Sequence, residues 1–241
     1  MNIPLGRQEL QAGLGRNLTH GLVDRLGRAI VTGMYEQTSL LTEADLAEEH
    51  GVSRSVIREV VKMLTAKGLL NARPRQGTAV EPASSWNLLD PDVLRWLLKR
   101  GLSIDLLAQF NQLRAAIEPE AAALAAISAT PPDIVEIEAG LTRMAKAEQG
   151  LDDVLEADIA FHVAILRSSG NPFYLQLREV VDTALRTSIR FTNRLQRRPA
   201  DMADHASVLD AIKLKDPHLA RTVMRELIDN TLVVIDQHRR G

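Results

Sequence analysis

Three times in the second half of the chain a helix-capping residue is followed at once by proline: Thr130-Pro131, Asn171-Pro172 and Asp216-Pro217. Proline has no backbone N–H to give, and its ring presets φ near the helical value. The first helical position is therefore where it fits best. Each pair marks a helix start. Ser103 opens a further long helix as an N-cap. Between Pro91 and Arg239 these signals predict six or seven helices. Only 3% of the 241 residues are aromatic, while Ala and Leu abound, and that bias favours helices over strands. Glu118-Pro119 interrupts the long helix. An internal proline removes a hydrogen bond to the carbonyl four residues back, which favours a break there.

The first third is punctuated differently. Residues 1–16 are Gly-rich and polar, and are expected to form a flexible tail. From Leu18 the pattern turns helical, with Leu22, Leu26, Ala29 and Ile30 on one face and Gly33 as the stop. Thr42 caps a second helix, Glu43 to His50, with Leu46 and Ala47 facing inward. Gly51-Val52-Ser53 makes a tight turn. Ser53 caps a third helix through Lys67, with Val56, Ile57, Val60, Val61 and Leu64 as its buried stripe. Gly68 ends it. Leu69 to Val80 reads as two short strands around an Arg-Pro-Arg-Gln-Gly tip. The expected fold is mainly α. It comprises a winged helix-turn-helix at 17–82, a linker at 83–92 and an antiparallel all-helical bundle at 93–241.

The formal net charge is -2, yet it hides a basic patch. Arg54, Arg58, Lys62, Lys67, Arg73 and Arg75 lie between Ser53 and Arg75, opposed only by Glu59. A small basic reader joined to a near-neutral remainder suits a DNA-binding protein with a sensor. There is no cysteine, so disulfides and thiolate metal sites are excluded, and a reducing compartment fits. No apolar run approaches the roughly 18 residues of a spanning helix. The N-terminus lacks a signal-sequence pattern. A cytoplasmic protein with no membrane partner is expected.

The chemistry of Glu43 to Leu64 explains its order. The start of a recognition helix must reach base edges in the major groove. Arg offers a bidentate fork to guanine, and Arg54 and Arg58, four apart, share one helix face. Ser53 and Ser55 can bond phosphate at the helix N-terminus. Arg73, Arg75 and Gln76 can follow phosphates or enter a minor groove, and Gly77 permits close approach. A solvated basic helix beside a surface hairpin would carry the same charges, though it leaves the wing unexplained. One recognition helix covers a half-site, so a homodimer on double-stranded operator DNA is expected.

In the second part Asp158 and His162 are four apart and share a helix face. His205 falls on the stripe Val208, Leu209 and Ile212, and Arg114 sits among alanines. Ionisable groups on inward faces are costly unless paired or bound. A carboxylate and two imidazoles from two helices could hold a divalent metal. The same residues could equally be satisfied core histidines with a locally paired Asp158. A metal-dependent helical enzyme is disfavoured. The chain has no His-Glu-x-x-His, and Ile159 stands three before His162 where a di-iron bundle carries Glu.

The string from Leu40 to Val80 resembles the GntR family of winged helix regulators. Its marks are the Gly-Val-Ser-Arg turn, Ile57-Arg58-Glu59, Lys67-Gly68-Leu69 and Gly77-Thr78. The resemblance implies DNA contacts from Ser53, Arg54 and Arg58, and a minor-groove contact from the tip at Arg75 to Gly77. Gln37-Thr38 and Leu41 depart from prolines usual in the family, which implies a looser or shorter approach loop. Ala44 replaces an Arg that contacts DNA in some members. The second part resembles the family's FCD effector domain through LRAAIEPEAAALAA, DIAFHVAILRSSGNPF and His205 with Leu209 and Ile212.

That likeness implies one bent helix across Pro119. It also implies a metal, zinc by preference, on Asp158, His162 and His205. The usual fourth ligand, a His, is replaced by Leu227. Arg114 matches an arginine beside the effector pocket and would pair with an effector carboxylate. The segment from Trp86 to Leu98 resembles regulators of sugar-acid catabolism, which implies an effector such as galactonate. Trp86 and Trp96 are expected to pack the linker against the bundle. The whole reading is a repressor released by a sugar acid, not an enzyme. A regulator that senses metal alone is the other reading.

Overall fold

The structure is a computed structural model, and it describes residues 7–35, 40–73, 77–100, 103–186 and 202–239. The chain forms two compact units, residues 1–101 and 102–241.

The first unit holds α1 (Arg7–Val31), β1 (Leu40–Leu41), α2 (Glu43–His50), α3 (Arg54–Ala66), β2 (Leu70–Arg73), β3 (Gly77–Val80), a single 3-10 turn (Ala83–Ser85) and α4 (Pro91–Lys99). Its core joins Leu22, Leu26 and Ile30 of α1 to Leu46 of α2 and Ile57, Val60, Val61 and Leu64 of α3. The strands form an antiparallel sheet in the order β1-β3-β2, with Leu40 opposite Ala79 and Leu70 opposite Val80. β1 is two residues long, too short to show alternation in the sequence. Gly68 must be glycine twice over. Its φ is +75°, and an added Cβ would meet the Ser85 carbonyl oxygen at 2.2 Å.

Two expectations change here. α1 begins at Arg7, well before Leu18, so the tail expected at 1–16 is helical from Arg7 onward. The helix formers Gln8, Glu9, Leu10, Gln11 and Ala12 outweigh Gly13 and Gly15. The boundary between units falls after Gly101, not at residue 93, because α4 packs on α1. Trp96 is fully buried beside Gly27, where a Cβ would lie 2.2 Å from the indole. Its indole N–H donates to Asp24 Oδ1 at 2.8 Å, and Arg95 reaches the same oxygen at 3.0 Å. Lys67, at the end of α3, pairs with Asp90 and Asp92 at 2.8 Å each. Residues 83–92 are therefore an ordered strap of the first unit. Trp86 donates its indole N–H to the Glu81 carbonyl at 3.1 Å, so both tryptophans find their hydrogen-bond partners inside the first unit.

The second unit is all helical: α5 (Ile104–Ser128), α6 (Pro131–Glu148), α7 (Val154–Ser168), α8 (Pro172–Gln176), a helical stretch at 178–186, α9 (Met202–Lys213) and α10 (Pro217–Arg239). The punctuation is obeyed. Ser103 accepts from the Leu106 N–H, Asn171 from Phe173, and Asp216 from His218 and Leu219. Thr130 and Asp133 form a capping box. α10 lies along α5 and α6 along α7. Between α6 and α7 the backbones nearly touch, since a Cβ on Gly140 would sit 2.8 Å from Phe161 Cα. Alanines 122, 125 and 126 of α5 let Phe161, Ile165, Leu209, Met224 and Ile228 close a dense core.

α5 does not break at Pro119; it runs unbroken as one helix. Pro119 leaves the Ala115 carbonyl without its helical donor. Arg225 Nη1 of α10 donates to that oxygen at 2.5 Å instead. The lost rung is replaced from outside, and the helix continues.

Candidate functional site

The DNA-reading candidates sit where α2 ends and α3 begins. Gly51 takes the left-handed conformation (φ 63°) and closes α2 by donating to the Ala47 and Glu48 carbonyls. Ser53 caps α3 by accepting from the Val56 N–H, and its Oγ lies 2.8 Å from that of Ser55. α3 is sharply two-faced. Ile57, Val60, Val61 and Leu64 are buried, while Arg54, Ser55, Arg58, Glu59 and Lys62 are exposed. Val56, expected in the buried stripe, is half-exposed at its edge. Arg54 and Arg58 thus share the solvent face that a groove would meet. Arg58 reaches Glu43 of α2 at 3.4 Å, a partner the sequence reading did not anticipate.

In the wing, Arg73 pairs with Gly77 across the hairpin, and Gly77 has φ +99°. Arg75 and Gln76 lie outside the described residues.

The second site lies inside the helical unit. α7 carries Asp158 and His162 one turn apart, and α9 brings His205 to them. One ligand atom from each lies within 4.8 Å of the others, and all three residues are buried. His205 Nε2 is 2.9 Å from Asp158 Oδ1, and His162 Nε2 is 3.7 Å from the same oxygen. Phe161 packs edge-on against both imidazoles.

α5 supplies the rest. Glu118, which the sequence reading passed over, is 1% exposed, and its Oε2 lies 2.5 Å from His162 Nδ1. Arg114 Nε donates to Glu118 Oε1 at 2.6 Å, its Nη1 to Asn111 Oδ1 at 3.2 Å, and its Nη2 reaches His162 Nε2 at 3.4 Å. The signal was present in the sequence: Glu118 is one helical turn from Arg114.

Burial alone would raise both carboxyl pKa values. For Glu118 the charges of Arg114 and His162 overcome it and hold the group down at about 2. For Asp158 the hydrogen bond from His205 and the nearby His162, His205 and Arg114 do the same, again to about 2. Both groups are ionised at neutral pH, and each acts only as an acceptor.

Two nitrogens and one carboxylate oxygen within a single ion's reach suit a borderline divalent metal. The donor set therefore fits one ion. Leu227 contributes no donor. It is buried in the apolar core with Met224 and Ile228. Arg114 is not a vacant anchor, because its guanidinium is already engaged by Glu118 and Asn111.

A helix-turn-helix with a three-stranded wing, followed by a helical unit with a buried polar site, defines a regulator with a DNA reader and a sensor. Residues 18–80 match the pattern of the bacterial regulatory proteins of the gntR family, and residues 109–230 match the FCD domain. The chain belongs to the GntR family of transcription regulators and carries its FCD effector-binding domain. The galactonate operon transcriptional repressor of Escherichia coli K12 is 35% identical over 88% of this chain and 94% of its own length. The Exu regulon transcriptional regulator of the same organism is 28% identical over 91% of this chain and 85% of its own. The solved structure of Lar, said to control the expression of the Listeria monocytogenes agr system, aligns with a TM-score of 0.63 at 18% identity. That alignment covers 91% of this chain and 97% of Lar. At that identity the likeness speaks for the fold alone. These relatives are regulators, not enzymes. Among the described residues no helix is long and apolar enough to cross a membrane.

Proposed function

We propose that this chain is a homodimeric operator-binding repressor released by a small sugar acid such as galactonate, bound beside a divalent metal on Asp158, His162 and His205. The observation that carries it is the convergence of these three buried donors in the effector domain. The kinship with a galactonate operon repressor supports the effector class. A bound divalent ion, zinc by preference, would supply a Lewis-acidic centre for a carboxylate and its neighbouring hydroxyl.

On the DNA side, Arg54 and Arg58 read base edges, and Ser53 and Ser55 hold phosphate. Arg73, Arg75, Gln76 and Gly77 work along the flanking groove. Two copies cover two half-sites about one helical turn apart. The effector releases DNA only to the extent that it prefers the arrangement that cannot bind the operator.

The test is thermal stabilisation against a panel of aldonates and uronates, with and without a chelator, followed by operator binding under the same conditions. A ligand specific to the folded state raises Tm by mass action. A rise with one sugar acid that is lost on chelation, with release of the operator, is the expected result. A rise that survives chelation would move the effector off the metal. A response of operator binding to zinc alone would favour a metal sensor. No response to any sugar acid would overturn the effector class.

A further inference from the structure

We infer that Arg225 of α10 is a conformational clasp: its hydrogen bond to the Ala115 carbonyl is what keeps α5 continuous across Pro119, and opening it lets α5 break there. The clasp belongs to the fold of the effector domain itself and depends on neither a metal nor an effector.

An internal proline disturbs a helix in two ways. It withholds a hydrogen bond from the carbonyl four residues back, and its ring crowds that same carbonyl. Both effects fall on Ala115. Ala115 is 6% exposed and Pro119 is buried, so water is a poor substitute for the missing N–H. Yet α5 runs without interruption from Ile104 to Ser128. The donor that takes the place of the proline is Arg225 Nη1, 110 residues further along the chain.

The partner of Arg225 sets it apart from its neighbours. Arg221 and Arg239 of α10 also reach α5, and both take carboxylates. Arg221 meets Glu120 at 2.6 and 2.9 Å, and Arg239 meets Asp105 at 2.7 Å. A carboxylate is the stronger partner for a guanidinium, and Arg225 has one on its own helix, because its Nε donates to Asp229 Oδ2 at 3.2 Å. Asp229 thus holds one edge of the guanidinium, and Nη1 turns to a neutral carbonyl on another helix.

The clasp is also built to open. The Arg225 side chain is 54% exposed, so a released guanidinium returns to water with little penalty. The Ala115 carbonyl has no such outlet while α5 stays helical. The penalty of release therefore falls on α5, which relieves it by tilting that carbonyl outward, and in a helix that is a kink at the proline.

The test is a double-mutant cycle between positions 119 and 225 in the full-length protein, read by amide hydrogen exchange at residues 120–123 and by Tm. Arg225→Met keeps most of the stem and removes the donor. It should speed exchange there by about 5- to 100-fold and lower Tm by about 3–10 °C. Pro119→Ala returns an N–H to α5, so in that background Arg225→Met should change neither. A residue that merely packs α10 against α5 would cost the same in both backgrounds. The carbonyl 13C resonance of Ala115 reads the bond directly and should move upfield in Arg225→Met, which keeps the test decisive if Pro119→Ala does not fold.

Equal losses with proline and with alanine at position 119 would overturn the clasp. So would unchanged exchange at residues 120–123 in Arg225→Met, or an Ala115 carbonyl resonance that does not move.

Discussion

The two units each tie helices together with charge, and they do it under opposite solvation. In the first, Lys67 meets Asp90 and Asp92, and Arg95 meets Asp24, with part of every side chain in water. In the second, Arg114, Glu118, His162, Asp158 and His205 are all 4% exposed or less. The wet network fastens α4 to α3 and to α1, and it can be loosened at little cost. The dry one cannot lose a member without stranding a charge. The lesson is that charge beside α3 shapes a scaffold that water can reach, whereas charge inside the helical unit depends wholly on its own buried partners.

The sharpest way to break that contrast is Arg114→Met. It leaves Glu118 buried without its main partner and should destabilise the second unit by about 3–5 kcal/mol, read from its denaturant midpoint. A loss near that of a surface pair would mean water reaches the site.

Acid gives the next largest effect. Glu118 and Asp158 are held at about 2 when folded, against ordinary values of 4.5 and 3.8. The unfolded chain binds more protons in that window, so their stabilisation is complete above the ordinary values. It is lost as pH falls through the folded ones. In chelator-treated protein, stability should decline by a few kcal/mol between about pH 4.5 and 2. Glu118→Gln should flatten that decline.

Arg54→Ala and Arg58→Ala should each weaken operator binding by about 1–3 kcal/mol without lowering Tm, as a mobility-shift titration would show. Unchanged affinity in both would dismiss α3 as the reading helix. Lys67→Met, on the wet side of the comparison, should cost only about 1 kcal/mol, and less in high salt. A cost equal to that of Arg114→Met would erase the distinction between the networks.

What was legible in the chain was local. Thr42, Ser53, Ser103, Asn171 and Asp216 cap the helices they announce, because a cap acts within three residues of itself. Asp158 and His162 could be paired from one helical turn. His205 joined them as an ionisable group on an inward helix face, and the family resemblance strengthened that grouping. The allegiance of α4 was not legible, since the slot for Trp96 is Gly27 on a distant helix. Glu118 was less legible because the proline after it signals a helix break, which would have taken its side chain off the face of Arg114; the helix continues and the two pair one turn apart. The pairing of Arg58 with Glu43 joins two helices across a turn, and nothing in either helix alone foretells it.

The rung that Arg225 supplies at Ala115 has a mechanical consequence. The continuity of α5 across Pro119 is not a property of α5 alone, because one of its carbonyls is held by α10. A sliding of α10 along its axis must either drag that carbonyl with it or leave it half-buried and unmatched, at about 1–3 kcal/mol. Within that same turn of α5 stand Arg114 and Glu118. Any shift of the last helix would therefore be felt, through a single peptide oxygen, in the turn that carries the buried Arg114–Glu118 pair.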